Sequence, residues 1–337
     1  MKKKILIIGG AGFIGHNLAV GLKKNNFDVY LIDGLIVNNL NTVIGNVDNL
    51  PHPNLSQAML NERFNIIKEN EISLNVQDAR DYSGLSHLIN KISPNIIIHL
   101  AAVSHANRSN KDPFNTFDHS LRTLENALDN TRDKVEHFIY FSSSMVYGNF
   151  KSDFVDEDTQ CDPIGIYGAL KFAGEKIVIA YNQTFGLPYT IIRPSALYGE
   201  RCISRRVGQI FIENAILGKE IVINGDGKDS LDFTYIQDLV DGILKVVTTD
   251  KAKNNIFNMT YGSSRKVNEM IEILKNHFPQ IKVNYQQREK LMPERGTLKM
   301  DKAKQLLDFQ SSWPLEKGYP EYISWYKEFT KNLKIIN

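Results

Sequence analysis

Residues 4–15, KILIIGGAGFIG, contain the clearest structural pattern of the chain. The stretch opens with an apolar, β-branched run of the kind found in buried parallel strands. Three glycines follow at intervals of three, Gly9, Gly12 and Gly15, and a helical pattern covers residues 16–24. A strand, a glycine-rich turn and a helix in this order predict a site where a diphosphate rests on the turn and the helix N-terminus.

A second predicted strand, Phe27 to Ile32, ends at Asp33, about 20 residues beyond the glycines. A carboxylate there accepts both hydroxyls of an adenosine ribose and repels a 2′-phosphate, so the pattern favours NAD over NADP. A glycine turn that binds nothing is the weaker alternative, because strand, helix and Asp33 occur together. The cofactor-binding residues predicted in this unit are Gly9, Gly12, Phe13, Ile14, Gly15 and Asp33.

Strands and helices alternate along the first part of the chain, which predicts a parallel sheet covered on both faces. The fold class we expect is α/β, a Rossmann-like doubly wound parallel sheet with a smaller α/β C-terminal substrate lobe. The NAD-binding domain, with the catalytic residues, is expected at 1–193. The substrate lobe is expected at 194–337, with the chain crossing back near 230–265. A polar insertion at 35–70 is expected to hold one helix, Leu55 to Asn65.

Two further segments at predicted strand ends fit the same cofactor. Asp78 and Ala79 could receive an adenine edge, and a plain polar turn explains them about as well. Leu100, Ala101 and Ala102 follow the fourth predicted strand, where small residues let a cofactor lie close. We include all five among the cofactor-binding candidates.

The candidate catalytic pair is Tyr167 and Lys171, four residues apart in a predicted helix, Tyr167 to Asn182. This spacing puts both side chains on one helix face, one turn apart. A lysine ammonium beside a phenol lowers the tyrosine pKa, so the tyrosine can exchange a proton with a sugar hydroxyl or carbonyl. The lysine can also hold a cofactor ribose. The same spacing occurs on solvated helix faces, and only its place in this chain favours catalysis.

Composition excludes several classes of function. The 337 residues carry a formal net charge of +2, which gives no field suited to nucleic acid. No apolar run approaches the roughly 18 residues of a membrane span, so no membrane association is expected. Cys161 and Cys202 fit a reducing cytoplasm better than a disulfide framework. No metal site is predicted.

Together these motifs resemble the extended short-chain dehydrogenases/reductases of the NAD-dependent epimerase/dehydratase group, which act on nucleotide-diphospho-sugars. The resemblance covers nearly the whole chain. Besides the glycine turn, Asp33, Tyr167 and Lys171, it rests on five segments: HLAA at 99–102, SSSMVYG at 142–148, RPSALYG at 193–199, GDG at 225–227 and WP at 313–314.

The resemblance implies roles for particular residues. Tyr167 would be the acid/base at a sugar hydroxyl, Lys171 would bind the nicotinamide ribose, and Ser143 would hydrogen-bond the reacting oxygen. A strand-end cap is the plainer explanation of Ser143. The substrate-binding residues implied are Ser104, His105, Ser143, Ser144 and Arg295, the last as a phosphate ligand.

The resemblance also implies NAD as cofactor, a nucleotide-diphospho-sugar as substrate, and a place in the synthesis of glycan and polysaccharide precursors. It implies a homodimer formed by the helices that begin near Pro113 and Gly165. Apolar residues on these helices, among them Phe117, Leu121 and Leu124, support this, although they could equally be core against the sheet.

Departures from the family pattern limit the chemistry. Dehydratases of the family carry an Asp-Glu pair after the catalytic serine, where this chain has Ser144 and Met145. A thioether cannot abstract a proton, so elimination of water is not expected. Leu231 stands where a phosphate-binding arginine is usual. The arginines at 201, 205 and 206 could supply the positive charge of that missing arginine. Alternatively, these three arginines form a solvated face and the charge is not replaced.

The sequence therefore predicts an enzyme that performs NAD-dependent oxidoreduction at C4 of a nucleotide-diphospho-sugar without dehydration. The ketone is either reduced again, as in a 4-epimerase, or released, as in a 4-keto-forming dehydrogenase. The alternatives are a nucleotide-sugar 4,6-dehydratase with an unusual acid/base set and a non-catalytic protein that senses NAD(H).

Overall fold

The computed structural model describes residues 2–45, 50–104, 106–289 and 291–333. Seven parallel strands form its central sheet. In chain order they are β1 (Lys4–Ile8), β2 (Asp28–Asp33), β3 (Ser73–Val76), β4 (Ile96–His99), β5 (His137–Phe141), β6 (Tyr189–Arg193) and β7 (Asn255–Asn258).

The strand order across the sheet is β3-β2-β1-β4-β5-β6-β7. The order in which strands are added to the sheet reverses at β1. Ile5 of β1 pairs with Val29 of β2 on one side and with Ile96 of β4 on the other. Ligands of doubly wound sheets bind at such a reversal, beyond the carboxyl ends of the strands. The order and the parallel register confirm the predicted fold class.

Helices cover both faces of the sheet. They are α1 (Phe13–Lys24), α2 (Leu40–Gly45), α3 (Pro53–Glu69), α4 (Tyr82–Ile92), α5 (Ala106–Lys111), α6 (Pro113–Phe117), α7 (Thr123–Thr131), α8 (Gly165–Phe185), α9 (Val207–Ile216), α10 (Ile236–Thr248), α11 (Val267–His277), α12 (Asp301–Leu307) and α13 (Leu315–Leu333). None of these helices is long and apolar enough to cross a membrane.

Alternate side chains of β1 enter different cores. Ile5 and Ile7 pack with α1, α3 and α10 on one face, whereas Leu6 and Ile8 pack with α4, α7 and α8 on the other. The strand is buried on both faces, which is why its sequence is an unbroken apolar run.

Several predicted helix limits are wrong. The first helix begins at Phe13 rather than at residue 16, because Gly15 packs inside it. A Cβ there would lie 2.5 Å from the carbonyl oxygen of Gly10. The helix predicted at 55–65 extends over α3, since its buried face packs on α1. The helix predicted over 113–130 is interrupted by a π-helical turn, Asp118–Arg122.

The C-terminal part is built from α9, α11 and α13 with short strand pairs. Ile221–Asn224 pairs with Val283–Gln286, and the strand expected at 232–236 contains only Thr234–Tyr235, which pairs with Leu197–Tyr198. The edge strand β7 belongs to the central sheet, although no strand was predicted there. The division of the chain at residue 193 stays a prediction.

Candidate active site

A first cavity lies at the reversal of strand order, beyond the ends of β1, β2 and β4, and has a volume of ≈ 140 Å³. Every predicted cofactor residue except Tyr167 and Lys171 lines it: Gly9, Gly12, Phe13, Ile14, Gly15, Asp33, Asp78, Ala79, Leu100, Ala101 and Ala102. The structure therefore brings together residues from four separate segments of the sequence.

The glycine turn has the shape that a diphosphate requires. Gly9 has a φ of +83°, and a Cβ on it would lie 2.7 Å from the backbone nitrogen of Ala101. A larger residue is therefore excluded there. Gly12 precedes the first turn of α1, and no side chain caps that turn. The free N–H groups at this helix end are thus available to an anionic group, so these residues fit NAD.

Asp33 holds the turn as well as lining the cavity. Its carboxylate accepts hydrogen bonds from the backbone nitrogens of Ala11, at 2.9 Å, and Leu35, at 2.8 Å. Burial raises the pKa of Asp33, and these two backbone bonds act to lower it. The carboxylate retains lone pairs for further donors, but its contact with an adenosine ribose stays a prediction.

Asp78 is fixed by an ion pair at the cavity wall. Arg80 donates from Nη2 to its carboxylate at 2.7 Å and from Nη1 to Asp118, also at 2.7 Å. Burial acts to raise the pKa of Asp78, but the hydrogen bonds from Arg80 outweigh it and leave that pKa below its ordinary value. The proposed contact with adenine would use a carboxylate that Arg80 already positions.

A second, larger cavity of ≈ 410 Å³ lies beside the first. Ile14, Leu100, Ala102, Ser104 and Arg206 line both cavities, so the two are contiguous. The predicted catalytic and substrate-binding residues on its wall are Ser104, Ser143, Ser144, Tyr167, Lys171 and Arg295. His105, the remaining substrate candidate, lies outside the described residues.

The three catalytic candidates meet on this wall. Ser143 lies just beyond β5 and close to Tyr167, and its Oγ accepts from the backbone nitrogen of Met145 at 3.2 Å, while Lys171 Nζ donates to the carbonyl oxygen of Phe141 at 2.7 Å. Burial raises the pKa of Tyr167, and the charge of Arg206 and hydrogen bonding with Ser143 act to lower it. Lys171 does not contribute to lowering the pKa of Tyr167, contrary to the expectation.

Beneath Lys171 lies a buried ion pair. Glu175, one turn further along α8, meets Arg193 at 2.7 Å, with exposed fractions of 1% and 3%. Burial lowers the pKa of Lys171 to about 8, and the Glu175 carboxylate acts to raise it. Arg193 also donates to the Tyr147 hydroxyl at 2.9 Å. Glu175 is a positioning residue that the sequence analysis missed.

The acidic residues that line the second cavity, within the described part of the chain, are Asp229 and Glu289. Asp229 accepts hydrogen bonds from Arg288 at 3.2 Å, and Glu289 accepts them from Asn107 and Asn224. Ser144 and Met145 occupy the wall beside Ser143. Within the described residues, Ser144 and Met145 therefore offer neither a carboxylic acid nor a carboxylate beside Ser143.

Leu231 lines the second cavity with a buried side chain, and cationic side chains line the same cavity. Arg206 and Arg295 line the cavity, and the charges of Arg206, Arg288 and Asp229 act on Arg295, whose pKa burial lowers to about 10. Arg206 Nε, Arg288 Nη2 and Arg295 Nε are buried without a hydrogen-bond partner. These three donors suit a diphosphate or another anionic group.

The prediction that the arginines at 201, 205 and 206 form a solvated face is wrong, because all three side chains are partly buried. Arg201 pairs with Glu62 at 3.2 Å and Arg205 with Glu213 at 2.6 Å, so neither is free. Arg206 is the member of this group that lines both cavities. Arg288, two residues beyond the strand Val283–Gln286, was missed because its sequence context resembles any polar strand end.

Comparison with known proteins gives a consistent result. The family model described as "NAD dependent epimerase/dehydratase family" matches residues 5–260. An uncharacterized UDP-glucose epimerase of Bacillus subtilis, YtcB, is 30% identical over 329 residues, covering 96% of this chain and 97% of that protein. UDP-glucuronate 4-epimerase 4 of Arabidopsis thaliana is 26% identical, covering 96% of this chain and 75% of that protein.

Among solved structures, the UDP-glucuronic acid 4-epimerase of Bacillus cereus, in complex with UDP-glucuronic acid and NAD, has a similar fold. Its TM-score is 0.84 at 26% identity, covering 96% of this chain and 99% of that one. The similarity therefore extends over both cavities rather than over the sheet alone.

Proposed function

This chain belongs to the NAD dependent epimerase/dehydratase family, and from that premise we propose that it is a 4-epimerase of a nucleotide-diphospho-sugar. The family, the enzymatic class and NAD as cofactor, all predicted from the sequence, are confirmed. The proposal extends to the reaction at C4, the substrate and the residues that carry it.

The observation that carries the proposal is that Ser143, Tyr167 and Lys171 line one cavity, beside Ser144 and Met145. NAD bound in the first cavity would accept hydride from C4 and return it. Tyr167 takes the proton from the C4 hydroxyl during oxidation and gives it back during reduction, and Ser143 orients the same oxygen. Lys171 holds the nicotinamide ribose. Elimination of water would need an acid and a base near C5 and C6, and Ser144 and Met145 supply neither.

Return of hydride, rather than release of the ketone, is supported by the relatives and by the cavity. The relatives described above are named as epimerases. Epimerisation requires the keto sugar to turn its other face to the cofactor, and the ≈ 410 Å³ cavity has the small Ala196 and the apolar Leu231 on its wall. These side chains hold the sugar loosely, which favours rotation.

For the substrate we propose a UDP-sugar that carries a carboxylate, a UDP-uronate. Arg206 acts electrostatically on Tyr167, so its guanidinium lies near the reacting end of the sugar, and its Nε lacks a partner. Arg295 and Arg288 lie further toward Asp229 and are assigned to the diphosphate. The UDP-glucuronate relatives support the same assignment.

The test is incubation of the protein and NAD with UDP-glucuronate, UDP-glucose and UDP-N-acetylglucosamine in deuterated water, followed by NMR. We expect the C4 epimer, fastest from UDP-glucuronate, with no solvent deuterium on the ring. A 4-keto-6-deoxy sugar with deuterium at C6 would establish a dehydratase instead. A free 4-keto sugar with accumulating NADH would establish a dehydrogenase, and NAD binding without turnover of any sugar would support a sensor.

We propose a homodimer through α6, the π-helical turn, α7 and α8. Phe114 is 80% exposed and Phe117 is 49% exposed, which suits a face that a second subunit covers. Leu124, the third apolar residue considered for this face, is instead fully buried in the core against the sheet. Light scattering should give twice the chain mass at micromolar concentration. Phe114→Glu with Phe117→Glu should give the mass of one chain, and a monomeric unmodified protein would refute the dimer.

We also place the enzyme in the cytoplasm, where UDP-sugars for glycan precursors would be supplied. Cys161 and Cys202 are both free in the structure, which agrees with a reducing compartment. Fractionation of the source cells, with the chain followed by antibody, checks this placement.

A further inference from the structure

Arg63, in helix α3 of the polar insertion, is a fully buried cation. Its side chain is 1% exposed, and it is among the largest fully buried side chains of the chain. Nε donates to the carbonyl oxygen of Arg201 at 2.9 Å, and Nη2 donates to the same oxygen. Nη1 is buried and has no hydrogen-bond partner. A guanidinium in this state lacks the anion that would balance its burial.

The described residues provide no ion pair for Arg63. Burial lowers its pKa to about 10, while Cys202, Asp33 and Tyr322 act to raise it without a salt bridge. The carboxylate of Asp33 is already bonded to the backbone nitrogens of Ala11 and Leu35. A charge in this position is costly unless an anion compensates for its burial.

The position of Arg63 indicates which anion is missing. It lines the first cavity, together with the glycine turn and Asp33, and does not line the second. Its charge acts on Asp33 and on His16, which lies in the first turns of α1. The guanidinium therefore lies between the start of α1 and Asp33, the two features that bracket the adenosine-side phosphate of a dinucleotide.

We propose that Arg63 Nη1 binds the adenosine-side phosphate of NAD, and that helix α3 of the insertion is a part of the cofactor site rather than a surface elaboration. Arg201 completes the arrangement. The carbonyl oxygen of Arg201 accepts the hydrogen bond that orients Arg63. The side chain of Arg201 contacts His16 at 3.1 Å and Glu62 at 3.2 Å. The insertion and the segment after β6 are thus joined above the diphosphate. The proposal stands whichever fate the C4 ketone has.

The experiment compares Arg63→Met, which keeps the length and removes the charge, with Arg63→Lys and with the unmodified protein, all freed of nucleotide by charcoal. Dissociation constants are measured for NAD, ADP-ribose and adenosine, and melting temperatures with and without NAD. For Arg63→Met we expect the constants for NAD and ADP-ribose to rise about 10- to 100-fold, the scale of one charge-assisted hydrogen bond. The constant for adenosine should stay unchanged, and Arg63→Lys should lie between.

Two results would overturn the proposal. If Arg63 only stabilises the packing of α3, Arg63→Met will lower the melting temperature of the nucleotide-free protein. The increase in melting temperature on addition of NAD will then be the same as in the unmodified protein. If Arg63 instead binds a 2′-phosphate, an added titration with NADP will show that the variant loses affinity for NADP and keeps its affinity for NAD. Arg265→Met, which breaks a half-buried pair with Glu316 away from both cavities, is the matched control and should leave all three constants unchanged.

Discussion

Lys171 donates a hydrogen bond from Nζ to the carbonyl oxygen of Phe141 across 2.7 Å, at the carboxyl end of β5. Lys171 is 6% exposed, and this burial lowers its pKa to about 8. The lysine is thus held in place at the end of the strand that precedes Ser143. A buried ammonium in this position is costly for stability.

Replacement of Lys171 by Met should make the protein more stable at neutral pH and inactive. The lysine is charged in the folded and unfolded states below pH 8, so its full penalty, about 3 kcal/mol for a pKa lowered from 10.5, applies there. Between pH 8 and 10.5 the unfolded state binds more protons, so the unmodified protein gains stability with rising pH. Urea unfolding at pH 7 and 9 should show the advantage of the variant shrinking by about 1 kcal/mol. A constant difference would contradict the assignment.

Tyr167→Phe should bind NAD as the unmodified protein does and lose about 10²- to 10⁴-fold in the oxidation of the sugar. The ring keeps its packing, while the proton acceptor is removed. Absorbance of reduced nicotinamide in a single turnover measures the oxidation, and fluorescence titration measures NAD binding. Tyr181→Phe, on the same helix and away from both cavities, is the control. Oxidation at the normal rate would refute the role of Tyr167.

Arg295 and Arg206 should separate diphosphate binding from sugar recognition. Arg295→Met should weaken UDP, UDP-glucose and UDP-glucuronate alike, by about 10-fold or more. Arg206→Met should reduce kcat/KM for UDP-glucuronate by a similar factor while affecting UDP-glucose little, because only the first carries the carboxylate. Equal losses for both sugars in Arg206→Met would place Arg206 on the diphosphate and would withdraw the uronate preference.

Glu175→Gln should cost about 3–5 kcal/mol of unfolding free energy, because it leaves the Arg193 guanidinium buried without a counter-charge. It also removes the carboxylate that acts to raise the pKa of Lys171, so that pKa should fall further. Glu125→Gln breaks an exposed pair with Arg122 and should cost no more than about 0.5 kcal/mol. Denaturant unfolding of the two variants compares them, and equal costs would show that Arg193 finds another partner.

Local sequence was enough to predict the sheet and the cofactor cavity. The apolar run of β1, the glycine turn and Asp33 lie within one continuous unit, and their conformations are dictated by backbone sterics and burial. Tyr167 and Lys171 were found for the same reason, since helix geometry relates residues four apart. The limits of α1 and α3 were missed because packing against the sheet and against each other overrode weak helix propensity.

Only the tertiary structure shows which charged side chains line the two cavities. The sequence offered three arginines after β6 as equals, yet Arg201 and Arg205 form ion pairs with Glu62 and Glu213, and Arg206 is the one of the three that lines both cavities. Arg63 looked like an ordinary polar residue of an insertion, because its burial arises only when α3 packs against the segment of Arg201. A charge acquires its role from its desolvation and its neighbours, and both are set by contacts between segments far apart in the chain.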